Sequence, residues 1–132
     1  MRTALARAYT VTAWVVVVGI FLQFAAAGLL VFRGVRTPHL VIGSLLPLLS
    51  LLALLLALAA RLPRRALALN GALLGLMVGQ HLILGFGHSL PWLLVLHIAL
   101  PAALPIISLA AARQRPALAP AVAQPPGVRQ PA

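Results

Sequence analysis

Residues 37–65 read TPHLVIGSLLPLLSLLALLLALAARLPRR, and this stretch decides the fold. From position 38 to 60 it holds no arginine and is mostly leucine and alanine. A bilayer core about 30 Å thick is crossed by a helix of about 20 apolar residues, so the run reads as a membrane span. Thr37 is placed as its N-cap and Pro38 at its first helical position. The run stops at Arg61, Arg64 and Arg65.

Working outward, three more stretches have the required length and polarity: residues 9–32, 65–86 and 89–112. Ser89 is placed as the N-cap of the last, with Pro91 in its first turn. The connections are short, so neighbouring helices are expected to run antiparallel. The predicted fold is an all-α, antiparallel four-helix transmembrane bundle, because lipid offers no partner to unpaired backbone groups. Composition agrees. The chain has 132 residues, 63% of them hydrophobic and 8% charged, against about 45–50% apolar and about 25% charged in soluble domains.

The charge is one-sided: ten arginines, no lysine, no aspartate and no glutamate. The arginines lie singly or in short groups between apolar runs, which is a membrane pattern rather than a nucleic-acid patch. Arg2 and Arg7 precede the first span, Arg61, Arg64 and Arg65 separate the second and third, and Arg113, Arg115 and Arg129 follow the fourth. Only Arg33 and Arg36 lie between the first and second. The positive-inside rule therefore puts residues 1–8 and both termini in the cytoplasm of a bacterial inner or plasma membrane. Residues 113–132 are rich in proline and alanine and read as a disordered cytoplasmic tail. The arginines on that side are expected to meet anionic lipid headgroups. Arg2, Arg7 and Ala25-Ala26-Ala27 also suit a secretory signal, but the apolar run exceeds a signal core, so an uncleaved span is expected.

The missing residue types exclude chemistry. Without cysteine there is no disulfide, thiolate metal site or cysteine nucleophile. Without side-chain carboxylates there is no acid pair, no Ser–His–Asp triad and no Mg²⁺ or Ca²⁺ cage. Phosphate loops and zinc signatures are absent too, so nothing marks the chain as an enzyme.

Two spans share an internal pattern. His39, Gly43, Pro47 and Ser50 align with His97, Pro101, Pro105 and Ser108 at a constant offset of 58, which also pairs Gln23 with His81. This is the signature of a duplicated helical hairpin. On a helix these offsets span about 80°, so each set shares a narrow face. The prolines free backbone carbonyls on those faces, which directs them into the bundle. On the third span Asn70, Met77, His81 and His88 form a second inward arc, while Gly71, Gly75 and Gly79 recur every four residues and predict a close helix contact.

Histidine is the main side chain left to carry chemistry, and all four map to the half of the bilayer away from most arginines. His81 and His97 lie about 10–12 Å deep. Neutral imidazole is a good axial ligand to haem iron, and bundles hold cofactors between facing helices. His39 with His97 is the symmetric pair and His81 with His97 the hairpin pair. Arg33 and Arg36 are candidate contacts for haem propionates.

Duplicated, antiparallel, histidine-bearing helices make residues 7–112 similar to membrane b-type cytochromes and to the halves of haem A synthase. The resemblance implies one haem b held by His39, His81 and His97 as candidate ligands. Gln23 stands where a fully duplicated site has a fourth histidine, and it reads as an interhelical hydrogen-bonding residue. The chain also resembles small uncharacterised four-helix bacterial membrane proteins, which implies no activity. Three functions stay open: a haem b protein, a cofactor-free structural or accessory membrane subunit, and a small transporter component. A membrane-protein partner or homo-oligomer is expected, and no nucleic acid.

Overall fold

A computed structural model describes residues 2–86, 89–90 and 92–114. The chain forms α1 (Arg2–Arg33), α2 (Thr37–Ala59), α3 (Arg64–Phe86), α4 (Leu93–Ala99), a 3₁₀ turn (Leu100–Ala103) and α5 (Leu104–Ala112). Four helical rods are long and apolar enough to cross a membrane, the last being α4 to α5 taken through the turn. His88, Pro91 and the expected tail from Arg115 onward lie outside the described residues.

Helix ends differ from the expected ones for local reasons. α1 starts at Arg2, because nothing in residues 2–8 breaks a helix and hydropathy marks membrane width rather than helix length. α2 starts at Thr37, with Arg36 in the cap position and no side-chain cap, so Thr37 is not the N-cap. Ser89 is not one either. Its N–H and that of Leu90 both bond the Phe86 carbonyl, at 3.0 and 3.1 Å, and so finish α3. The fourth rod starts only at Leu93.

The fourth rod is also broken, and the repeat explains where. In α2 the position four after the histidine is Gly43, which keeps its N–H, and the helix runs through Pro47 unbroken. In the fourth rod that position is Pro101, so Pro101 and Pro105 remove donors from two successive turns. The backbone tightens to 3₁₀, and the Leu104 N–H takes the Pro101 carbonyl. Ser108 Oγ donates to the Pro105 carbonyl at 3.0 Å.

The rods form a ring that closes through α5. α1 packs on α2 and α5, and α3 packs on α2, α4 and α5. Among the described residues α4 packs on α3 but not on α1, so the bundle opens beside α4.

Two packed clusters fill the interior. At the arginine-rich end, Ala6, Tyr9, Ala13, Val17, Ala57, Ala60, Leu62, Ala66 and Ala112 pack together. Small residues let backbones approach, which drives helix association in lipid. Mid-bundle, Val16, Ile20, Leu46, Leu73, Met77 and Leu104 form the second cluster. Gly19 permits this contact, since a Cβ there would meet Leu46 at 2.8 Å. The outer surface is apolar, with Phe32, Ile98 and Ile106 all more than 70% exposed, as a lipid-facing surface requires.

Polar groups at the arginine-rich end are satisfied. Tyr9 is fully buried and donates to the Ala111 carbonyl at 2.7 Å. Asn70 Nδ2 donates to Tyr9 Oη at 3.0 Å and to the Ala66 carbonyl at 2.8 Å. Nearer the middle, Ser50 Oγ donates to Met77 Sδ at 3.0 Å.

Candidate functional site

The polar residues of the other end surround one cavity of about 510 Å³. α1 contributes Gln23, α2 His39, α3 Gln80 and His81, and α4 His97. Ile20, Leu46, Met77 and Leu104 of the mid-bundle cluster also line it. Of the positions paired by the repeat, Gln23 with His81, His39 with His97 and Gly43 with Pro101 line the same cavity, and the other two pairs do not. The rest of its wall is aliphatic or aromatic apart from Ser44. An apolar pocket with a few convergent polar groups, of about 300–1,000 Å³, is the usual form of a cofactor site.

Each histidine is held differently. His81 Nδ1 lies 2.9 Å from the Met77 carbonyl. A carbonyl only accepts, so Nδ1 carries the proton and Nε2 keeps a free lone pair. Metal-ligating histidines are commonly oriented by such a bond. His97 is half-buried, and its Nδ1 is buried with no partner. His39 is engaged by Gln23, whose Nε2 lies 3.1 Å from Nδ1 and 3.4 Å from Nε2. The amide therefore crowds both ring nitrogens. Gly43 makes room for it, since a Cβ there would meet Gln23 Nε2 at 2.9 Å. The expected interhelical role of Gln23 is present in this bond.

Four buried polar atoms of the described residues lack partners: Gln23 Oε1, Gln80 Nε2, Gln80 Oε1 and His97 Nδ1. Every one belongs to a residue lining this cavity. A buried polar group without a partner costs about 1–3 kcal/mol, a cost that a polar occupant of the cavity would relieve. Gln80 is the residue that periodicity missed. It is only 8% exposed, and its signal was simply a glutamine deep in an apolar span.

Other expected residues fall elsewhere. Arg33 and Arg36 are exposed and absent from the cavity wall. Gly71, Gly75 and Gly79 make no close contact within the chain, because a Cβ at any of them would meet nothing within 4 Å. A four-residue spacing places the glycines on one face, and in this bundle that face is turned away from the neighbouring helices. Asn70 and Met77 are buried, so two members of the other arc point inward, while His81 borders the cavity and is otherwise exposed. Among the described residues no group of three or more His, Cys, Asp or Glu side chains could hold a metal ion. A haem needs only one or two axial ligands, and His81 and His97, both on the cavity wall, are the residues that would supply them. Comparison with protein-family models, curated proteins and solved structures finds no match to this chain.

Proposed function

We propose that this chain is a four-span integral membrane protein, with both termini in the cytoplasm, that holds one haem b in the outer half of its bundle. The membrane is the bacterial inner or plasma membrane, by the arginine distribution. His81 and His97 are the axial ligands in this reading, and the hairpin pair is preferred over the symmetric pair. The observation that carries it is the state of the rings: His81 keeps a free Nε2, His97 has an unpartnered nitrogen, and His39 is occupied by Gln23.

Haem supplies one-electron redox chemistry when bound. The chain's own part is to present two imidazoles from adjoining helices, fix one tautomer through the Met77 carbonyl, and exclude water with Ile20, Leu46 and Leu104. The test is an absorption spectrum of protein purified from haem-sufficient cells. A Soret band and a sharp reduced α-band are expected, lost in His81→Ala and His97→Ala and kept in His39→Ala. Loss in His39→Ala and His97→Ala, with the bands kept in His81→Ala, would restore the symmetric pair.

A cofactor-free accessory subunit is the second reading, favoured by the Gln23–His39 bond, which needs no ligand. Colourless protein would select it. The absence of cysteine gives a clean test of orientation: single cysteines at position 3 and at position 35, probed with a membrane-impermeant thiol reagent in intact cells. Labelling only at 35 is expected.

A further inference from the structure

The turn between α2 and α3 carries a residue where glycine is usual. The Arg61 N–H bonds the Leu58 carbonyl at 3.0 Å, and the Leu62 N–H bonds the Ala57 carbonyl at 3.0 Å. This double closure is the Schellman motif, whose left-handed residue is most often glycine. Here it is Arg61, at φ 54°, whereas α1 ends in a left-handed glycine, Gly34 at φ 68°. A side chain in that region costs stability relative to glycine, and what Arg61 adds in return is a guanidinium.

That guanidinium is not alone. Ala6, Ala60, Leu62, Ala66 and Ala112 belong to one packed cluster. Arg7, Arg61, Arg65 and Arg113 are their sequence neighbours, and Arg64 is next to Arg65. The cluster therefore gathers five arginines from α1, the α2–α3 turn, α3 and the end of α5 at one end of the bundle. All five are exposed. The whole sequence holds no Asp or Glu to pair with them. Arg64 and Arg65 also open α3, where the helix dipole already disfavours cations.

We infer that this arginine crown is a binding site for an anionic membrane phospholipid, and that Arg61 is one of its phosphate-binding residues. Guanidinium pairs phosphate through two parallel N–H···O bonds, which lysine cannot reproduce. Five cations exceed one phosphodiester, so a lipid with two phosphates, a diphosphatidylglycerol, is preferred over phosphatidylglycerol. The apolar faces beside the crown, with Leu55 and Leu58 about half exposed, suit acyl chains rather than a free anion. The inference stands whether or not a haem is bound.

The experiment is lipid titration of the full-length protein in neutral detergent, read by native mass spectrometry and by thermal melting. Diphosphatidylglycerol is expected to be retained, phosphatidylglycerol less, and phosphatidylcholine not. The double variant Arg64→Gln/Arg65→Gln should lose about tenfold or more in apparent affinity, since it removes two of the five charges that attract an anionic headgroup. Arg33→Gln/Arg36→Gln removes the same charge at the opposite end and should change nothing. Arg61→Gly should do two opposite things: raise the melting temperature without lipid by about 2–5 °C, and weaken lipid binding by about fivefold. Arg61→Lys should recover little of that binding. Equal losses in the two double variants would reduce the site to non-specific charge and overturn it. Equal retention of phosphatidylcholine would do the same, as would full competition by inorganic phosphate at the lipid's concentration. An Arg61→Gly protein that binds lipid as wild type does would remove Arg61 from the site.

Discussion

The two ends of this bundle use the same four rods for different ends. At the arginine-rich end, alanines bring the helices together, and the polar groups of Tyr9 and Asn70 are served by protein partners. At the opposite end the fourth rod breaks at Pro101 and α4 packs on α3 without reaching α1. There four buried polar atoms go unserved around a cavity. Lipid does not drive apolar helices together, so close packing and hydrogen bonds decide which part of a membrane bundle is firm. One end meets those conditions and holds the fold. The other forgoes them and encloses a cavity.

The contrast is broken most severely at Tyr9. Tyr9→Ala removes a fully buried ring, leaves the Ala111 carbonyl without its side-chain donor and leaves Asn70 only its bond to the Ala66 carbonyl. A loss of about 3 kcal/mol or more is expected in SDS-titration unfolding. Tyr9→Phe keeps the packing and should cost about 1–2 kcal/mol.

Gly43→Leu comes next. Its side chain would enter the seat of Gln23 and separate it from His39, at a cost of about 1–3 kcal/mol. Because this substitution disturbs only the cavity end, binding at the arginine crown should be unchanged. A crown that fails along with it would mean that the two ends do not act separately.

Gln80→Leu should show the opposite sign. Both amide atoms are buried without protein partners, so an apolar replacement should leave the empty protein unchanged or more stable by about 1–2 kcal/mol, while weakening whatever the cavity binds. Destabilisation by that amount would show that Gln80 serves the fold. The smallest effect belongs to Gly75→Ala, which meets open space. It should lie within about 1 kcal/mol of wild type, on the stabilising side, since alanine is the better helix former.

How much was legible follows from what each signal measures. Span length and arginine placement report the thickness and polarity of the solvent, so four apolar rods could be read directly from the sequence. The 58-residue offset compares rare residues in a leucine-rich background, and its histidine and glutamine positions do line one cavity, though Ser50 and Ser108 do not. Periodicity, by contrast, groups residues on a face without naming what that face meets. It could not tell that Gly71, Gly75 and Gly79 look outward, or that the tight glycines are Gly19 and Gly43. The prolines predicted freed carbonyls, but Pro101 and Pro105 acting on successive turns changed the helix type itself. Arg33 and Arg36 were placed near the site by depth alone, and depth does not fix direction. The Tyr9–Asn70 bond joins α1 to α3, residues 61 apart in sequence, and no local pattern announces it.

The most direct test of the central claim, that the loosely packed end is a haem site, is the haem content of the purified protein, measured as the pyridine haemochrome against protein concentration. One haem per chain in wild type, falling to none in His97→Ala with the helical circular dichroism intact, is the predicted result. No haem in protein purified from haem-replete membranes, or an unchanged ratio in His81→Ala and His97→Ala, would contradict it.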